Sequence, residues 1–243
     1  MKDQPSQSLT SFKSRGAPGA EVRSKGLSQA LYPFIGLVFV SGWAFAAVIP
    51  ASSLTLSHAA ILLMILAVAM LITWKRALNL VSRHEEGARG EEQVARLLES
   101  LPEGWRIYHG VPFTDKKMDH VVVSPDHVFA IETVHWLGQV RLTDQKLLHQ
   151  EKAYPGYDLP TLQHRGEQVA TELGIPFQVL TPLVCIVGGR LNQPAGEHDG
   201  VWIGELEELG MYLLQVKGNG LDNSERISVL EKLDVLLDQE DSL

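Results

Sequence analysis

Three acidic residues in this chain lie in short segments whose types and spacing could support chemistry. Glu91 ends the segment Gly87-Ala88-Arg89-Gly90-Glu91, Asp119 is central in Met118-Asp119-His120, and Glu132 lies in Ile131-Glu132-Thr133-Val134. Carboxylate oxygens that meet from neighbouring elements can hold Mg²⁺ or Mn²⁺, which are hard cations that prefer oxygen ligands. Such a metal lowers the pKa of bound water and stabilises charge on a reacting phosphate. The three acids therefore predict a candidate metal site.

Each acid falls on a predicted element that would bring it toward the others. A stripe of apolar residues predicts a helix over 91–101, which begins at Glu91. Runs of β-branched residues predict strands over 117–124 and 128–134, close enough in sequence to pair as a hairpin. Because side chains alternate along a strand, Glu132 and the residue at position 134 point to the same face.

In order and spacing these segments resemble the nuclease-related domain (NERD), a branch of the restriction-endonuclease-like PD-(D/E)xK superfamily. That family carries a Glu in its first helix, an Asp in a core strand and a Glu-x-Lys in the next strand, and Glu91, Asp119 and Glu132 match these positions. The resemblance covers residues 85–190 and implies a restriction-endonuclease-like α/β core. It also implies that Asp119 and Glu132 are direct ligands of Mg²⁺ or Mn²⁺ and that Glu91 is an outer or bridging ligand.

The lysine of the family pattern is replaced here by Val134. The resemblance implies that this lysine orients or deprotonates the attacking water, and a valine supplies neither a donor nor a charge. Lys117 lies two residues before Asp119 on the same predicted strand, so we expect it to face the same side and to be a candidate for a migrated lysine. A solvated charge at the end of the strand is the alternative for Lys117. Without a metal, repulsion among the acids is expected to raise at least one pKa.

Ordinary structural explanations exist for some of these residues. The charge of Glu91 is favourable at a helix N-terminus, where it meets the helix dipole. Glu132 is harder to explain, because a carboxylate in an apolar strand is costly unless it is paired or metal-bound. Trp136 and Tyr108 could stack on nucleic-acid bases, although aromatic residues of this kind are more often part of a core.

The rest of the C-terminal region alternates between helical and extended patterns. Further predicted helices cover 161–173, 206–215 and 224–237, and further predicted strands cover 105–111, 139–142, 177–180 and 183–187. This order predicts an α/β fold with a central mixed sheet flanked by helices. The single cysteine, Cys185, lies in an apolar run and is expected to be a buried core residue, as is typical of a reducing compartment.

Two apolar stretches precede this region, over 31–49 and 54–74, and the whole segment 31–74 contains no Asp, Glu, Lys or Arg. Each stretch is about as long as a membrane-spanning helix. The short uncharged turn between them predicts a transmembrane helical hairpin, because only helices satisfy their own backbone hydrogen bonds in lipid. A buried hairpin of a soluble protein is the alternative.

The flanking charges predict the orientation of this hairpin. Residues 1–30 carry five basic and two acidic side chains, and Lys75 and Arg76 follow the second span directly. The positive-inside rule then places both termini in the cytoplasm, at the inner membrane of a bacterium. We expect residues 1–30 to be a disordered basic tail. Gly42 and Ala46 form a small-xxx-small spacing that could pair two copies of the chain as a homo-oligomer.

Charge opposes easy binding of nucleic acid by the predicted cytoplasmic domain over 75–243. This region holds 16 basic and 27 acidic residues, so it lacks the positive potential that usually drives phosphate contacts.

The sequence supports two alternative functions. The first is a membrane-anchored, weak or degenerate divalent-metal-dependent nuclease acting on DNA or RNA. The second is a catalytically inactive binding or scaffold module that keeps the nuclease fold on the membrane.

Overall fold

The computed structural model describes residues 13–48, 56–216 and 220–241. Its internal contacts define two units, which we describe separately. Met1–Gly19 and Arg89–Leu243 form the first unit, called the domain below, and Ala20–Ala88 form the second, called the hairpin.

The hairpin consists of two long helices, α1 (Ala20–Val48) and most of α2 (Leu56–Glu99). The stretches Val22–Trp43 and Met64–Glu99 are long and apolar enough to cross a membrane by length and composition. Their large apolar side chains are exposed, with Phe39 at 77% and Trp43 at 76% of full exposure. Phe34 and Trp74 make an edge-on ring contact at 6.2 Å. The predicted turn between the spans lies outside the described residues.

The structure differs from the expected disordered tail over 1–30. Residues 1–12 lie outside the described residues, but Ser14–Arg15 form strand β1, which pairs in parallel with a later strand at Ile107 and Tyr108. Helix α1 already begins at Ala20. The basic side chains explain the difference, because Lys13 and Arg15 bind partners within the domain and are not left in solvent.

Eight further strands follow β1: β2 (Arg106–Pro112), β3 (Lys117–Val123), β4 (Val128–Thr143), β5 (Lys146–His149), β6 (Lys152–Asp158), β7 (Leu180–Leu191), β8 (Gly196–His198) and β9 (Val201–Glu205). Within the described residues they form one nine-stranded mixed sheet with β1, in the order β1-β2-β3-β4-β7-β9-β8, and β5 pairs with β4 while β6 pairs with β5. Pairing is parallel between β4, β7 and β9 and antiparallel between β2, β3 and β4.

Strand β4 has two partners on one edge. Its first part pairs with β3 up to Ile131, and its last part pairs with β5 from Val140 onward. Between them the pairing with β7 shifts register from His135 to Gly138, and Gly138 has φ +93°, which favours glycine. β5 and β6 thus extend from the sheet as an arm beyond the end of β3.

Three further helices cover the sheet: α3 (Leu159–Leu173), α4 (Leu206–Gln215) and α5 (Asn223–Asp241). Asp158 caps α3 by accepting the Thr161 amide, and Gly174 ends the helix in the left-handed conformation at φ +69°. The segment Phe177–Val179, predicted as part of a strand, forms a 3-10 turn that leads into β7.

Both faces of the sheet are buried. On one face Val121 belongs to a core with Leu173 of α3 and Leu233 of α5, and on the other face Val122 packs with Leu98 of α2 and Leu209 of α4. The alternation along β3 therefore follows the strand period of two. The predicted fold class, an α/β domain with a central mixed sheet flanked by helices, is confirmed.

Candidate active site

Asp119 lies where β3 and β4 separate. The last paired residues of the two strands are His120 and Ile131. Just beyond this pair the amide N–H of Thr133 donates to Oδ2 of Asp119 at 2.7 Å. The side chain of Asp119 thus replaces the backbone acceptor that a continued ladder would have supplied to this amide.

Glu132 points from β4 toward α3 and is buried, with 3% of its surface exposed. Its Oε2 accepts from Nζ of Lys116 at 2.6 Å, and Nη1 of Arg165 on α3 donates to both carboxylate oxygens at 2.9 and 3.0 Å. A buried carboxylate is costly unless its charge is balanced, and two cations supply that balance here.

Val134 occupies the same face of β4 as Glu132, as the alternation predicted. It is 4% exposed and belongs to a core cluster with Val184, Ile186 and Leu162. The position at which the resembling family carries its lysine is therefore part of the packing between β4, β7 and α3. No ammonium enters the site from this position.

The predicted migrated lysine, Lys117, is placed differently from the expectation. Its ammonium donates to Oε1 of Glu240 near the end of α5. Lys116, one residue earlier and just before β3 begins, is the lysine that binds Glu132. Lys116 precedes the first residue of β3, so the alternation of side chains between the two faces of a strand does not fix the direction of its side chain.

Glu91 lies on α2, two residues after the chain re-enters the domain at Arg89. Its Oε2 accepts the backbone N–H of Gly19 at 2.8 Å. The carboxylate of Glu91, the acid that was predicted on a helix, therefore accepts a hydrogen bond from the segment that precedes α1.

The three acids interact electrostatically at Asp119. Burial, which is the largest cause, and the charges of Glu91 and Glu132 together raise the pKa of Asp119 to about 7, although the Thr133 amide and Lys116 act in the opposite sense. Although Asp119 is half-buried as a residue, its carboxyl group has lost most of its solvation. The expectation that one pKa of the group is raised agrees with this result.

The three acids do not, however, converge on one point. Within the described ranges, no group of three Asp, Glu, His or Cys side chains is arranged to hold a metal ion. Both oxygens of Glu132 bind cations and Glu91 binds the amide of Gly19. In this arrangement the residues do not fit a shared divalent ion, and we derive no chemical step through one.

Aromatic side chains border the acids on the side of the β5–β6 arm. Burial and the charges of Glu132 and Asp119 raise the pKa of the Tyr157 hydroxyl, and Nζ of Lys116 lies 5.6 Å from the centre of its ring. Tyr157 meets Trp136 edge-on at 5.2 Å. Tyr108, the other predicted stacking residue, is fully buried in the core and is not available to a base.

Two histidines form a buried pair beside the site. Nδ1 of His109 and Nδ1 of His120 are 2.7 Å apart, and the two residues are 3% and 0% exposed. Burial lowers the pKa of His109 to about 4 and lowers that of His120 well below its ordinary value. His120 thus lies on the opposite face of β3 from Asp119, as alternation requires.

Sequence reasoning missed Arg165 and Tyr157, and it favoured Lys117 as the lysine near the acids, whereas Lys116 binds Glu132. Tyr157 and Arg165 lie 25 and 33 residues beyond Glu132, on β6 and α3, so no local spacing joins them to the acid. One available signal was the buried position predicted for Glu132, which required cations from outside its own strand.

The fold around this site is an α/β domain with a central mixed sheet flanked by helices. The family model of the nuclease-related domain, whose general fold is of the restriction-endonuclease-like PD-(D/E)xK kind, matches residues 86–187. Nuclease-like domains of this family are generally dependent on divalent metal ions. No curated protein and no solved structure gave a match to the chain.

Proposed function

We propose that this chain is a membrane-anchored nuclease-related protein whose domain engages DNA or RNA at Glu132 and hydrolyses it weakly. The observation that carries this proposal is the bond of 2.6 Å between Lys116 and Glu132. It supplies an ammonium beside the acid of the motif although position 134 holds a valine. Lys116 would then serve in place of the missing lysine.

The side chains of the site support two roles in hydrolysis. The ammonium of Lys116 can donate to a phosphate oxygen or orient a water molecule held by Glu132. Asp119, with its pKa raised to about 7, can accept a proton near neutral pH. Arg165 can neutralise charge on the phosphate only when it leaves Glu132. That competition is one physical reason for weak turnover.

Cleavage assays on the full chain in detergent micelles test the proposal. Labelled single- and double-stranded DNA and RNA are incubated with Mn²⁺, with Mg²⁺ or with a chelator. We expect weak cleavage that Lys116→Ala and Glu132→Gln each reduce by roughly a hundredfold, the scale of a lost acid–base group.

Lys117→Ala is the matched control, because it removes the adjacent lysine, which binds Glu240. It should retain activity within about twofold, as expected for a charge away from the reaction. Equal loss in the Lys116 and Lys117 variants would contradict the assignment of Lys116. Complete absence of cleavage with every ion would contradict the nuclease proposal.

The second candidate is a binding or scaffold module without hydrolysis. The contact that favours it is the pair of hydrogen bonds from Nη1 of Arg165 to the two carboxylate oxygens of Glu132, because the guanidinium neutralises this acid within the protein. Under this alternative, fluorescently labelled nucleic acid or a partner protein binds the full chain without being cut, and Glu132→Gln leaves binding intact. The excess of acidic residues over 75–243 favours a protein partner over nucleic acid in that case.

Membrane anchoring by α1 and α2 is part of the proposal. It is supported by the length and composition of the two helices and by their exposed apolar side chains, such as Phe39, Trp43 and Ile65. In a bacterial host we expect the protein to remain in the membrane pellet after extraction with alkaline carbonate. Release of the full chain into the supernatant would contradict anchoring.

A further inference from the structure

A cavity of about 290 Å³ lies between α3 and the loop 113–116, which joins β2 to β3, wholly within the domain. This volume is at the lower end of the range for small-molecule sites, about 300–1,000 Å³. One face of α3 lines the cavity, and that face extends roughly 16 Å along the helix axis. Its residues recur at helical spacing: Thr161, His164, Arg165, Gln168, Val169 and Glu172.

Two side chains of α3 fix the loop beside the cavity. The carboxylate of Glu172 accepts the N–H of Thr114 at 3.1 Å through Oε1 and at 3.3 Å through Oε2. Further along the helix, Nε2 of Gln168 donates to Oδ2 of Asp115. Contacts within the chain therefore already form both walls, so a ligand would not have to order the loop when it binds.

The two ends of the cavity differ in charge. At one end Lys116 and Arg165 carry two positive charges against the single negative charge of Glu132, which both of them bind. At the other end lie Asp115 and Glu172, which are acidic. This distribution favours a ligand with one anionic end and one uncharged end.

Hydrogen-bond donors remain available to an anion at the positive end. An ammonium group has three N–H donors. In the ranges that the structure describes, Glu132 is the one acceptor of Lys116, whose side chain is 40% exposed. The ring of His164, which also lines the cavity, is 68% exposed and adds a further donor. A phosphate group, with several acceptor oxygens and a negative charge, matches these donors.

Between these ends the cavity has apolar walls. Phe113, Met118 and Val169 line it, and each is no more than 8% exposed. The flat face of a nucleobase can pack on such side chains, as bases do on aromatic rings. A base that is stacked inside a duplex cannot enter a cavity of this kind unless it is first unpaired.

We propose that this cavity is a nucleotide subsite, which takes one unpaired nucleotide with its phosphate at Lys116 and its base against Phe113. This inference rests on the proposed function, because it names the substrate class of the same site. The bound phosphate lies beside Glu132, to which Lys116 donates. Single-stranded nucleic acid and unpaired strand ends are therefore the substrate class that the cavity selects over an intact duplex.

Calorimetric titration of the full chain in detergent micelles, with a chelator present, tests the subsite. The three probes are adenosine 5′-monophosphate, adenosine and inorganic phosphate. We expect the monophosphate to bind about tenfold more tightly than either of its parts, because the positive end and the apolar walls both contribute. Equal affinity for inorganic phosphate and the monophosphate would overturn the inference, since the cavity would then contribute nothing to binding of the base.

Two substitutions on α3 separate the contributions of the two parts. Gln168→Trp fills the cavity, so it should weaken binding of both the monophosphate and adenosine by about tenfold. His164→Glu places a carboxylate at the positive end, so it should weaken binding of the monophosphate by about tenfold and leave adenosine unchanged. A general loss of structure would not distinguish the two probes in this way.

Thr171→Trp and Thr171→Glu are the matched controls, because they introduce the same side chains at an exposed position of α3 outside the cavity lining. Both should bind the monophosphate as the native chain does. Native affinity in both cavity variants, or no binding by the native chain, would overturn the inference. Because neither metal nor cleavage enters the measurement, binding without cleavage would reject the nuclease proposal alone. Cleavage without binding of the monophosphate would reject the subsite alone.

Discussion

Glu132 is the buried carboxylate of the candidate site, and its charge is balanced by two cationic side chains. It is buried on β4, and its two oxygens receive hydrogen bonds from Lys116 and Arg165, which come from a loop and from α3. A buried ion pair adds little net stability when intact, but removing one partner leaves an unbalanced charge. The residue therefore ties the position of α3 to the open edge of β4.

We expect Arg165→Gln to destabilise the domain. The variant leaves Glu132 with Lys116 as its remaining cation, and Arg165 is only 21% exposed, so the loss should be roughly 1–3 kcal/mol. Urea denaturation followed by circular dichroism measures it. Arg190→Gln is the control, because Arg190 binds Glu205 with 78% of its side chain exposed and should change stability by about 0–1 kcal/mol. Equal effects of the two substitutions would contradict a structural role for the buried pair.

The histidine pair predicts loss of stability in acid. The pKa of His109 falls from its ordinary value of 6.5 to about 4 in the folded chain because of burial. Between these values the unfolded chain binds a proton that the folded chain does not, so stability present above pH 6.5 is lost as the pH falls toward 4. The slope is about 1.4 kcal/mol per pH unit for this group.

His109→Gln tests this prediction, because the amide can still bond His120 but does not titrate. Urea unfolding at several pH values in this window should show a shallower decline for the variant than for the native domain. Parallel curves for the two proteins would show that the acid sensitivity originates in other groups.

The identity of the acids could be predicted from the sequence, but their partners could not. The common face of Glu132 and Val134 followed from the strand period alone. Arg165 reaches Glu132 from α3 across 33 residues, and Lys116 reaches it from outside a strand. Such contacts depend on how helix and sheet are oriented, which no local spacing records.

At the scale of elements, α3 must pack very closely on the sheet to bring Arg165 to Glu132. Gly166 is buried, and a Cβ there would lie 2.9 Å from Cγ of Pro182 and 3.0 Å from Cε2 of Phe177. Glycine in a helix interior is otherwise unfavourable by about 1 kcal/mol relative to alanine. The close approach of the helix to β7 therefore offsets the poor helix propensity of this residue.

We expect Gly166→Ala to lower stability by roughly 1–2 kcal/mol, because the added methyl group overpacks the contact between α3 and β7. Gly210→Ala on α4 is the control. Its Cβ would meet Leu97 at an ordinary 3.5 Å, so it should raise stability by about 0.5–1 kcal/mol. Thermal unfolding of both variants measures the difference. A gain in stability for Gly166→Ala would show that α3 can move away from the sheet at little cost.

Several elements could be predicted because their patterns were local. The helices over 161–173 and 206–215 and the strands around Asp119 and Glu132 agree closely with α3, α4, β3 and β4. The long β4 was predicted as two separate strands, since Gly138 interrupts the alternation at the register shift. Strands β5, β6, β8 and β9 were missed because polar side chains or glycine break the period of two within them.

At the scale of the whole molecule, both ends of the hairpin connect to the same domain. The two spans were predicted from the length and apolar composition of 31–49 and 54–74, and both ends were placed in the cytoplasm from the flanking charges. In the structure, Lys13–Gly19 and Arg89–Leu243 belong to one folded unit, so the chain leaves and re-enters the same domain. We therefore predict that both ends of the hairpin lie on the same side of a membrane, because both connect to this one domain.

Cysteine labelling in a bacterial host tests this topology. The native Cys185 is fully buried, so background labelling should be low. Ala17→Cys and Asn192→Cys introduce thiols at exposed positions, one before the hairpin and one after it. We expect a membrane-impermeant maleimide to label neither variant in spheroplasts and both after permeabilisation, because lipid separates the reagent from the domain. Labelling of one variant alone in spheroplasts would place the ends of the hairpin on opposite sides, and labelling of both would reverse the orientation.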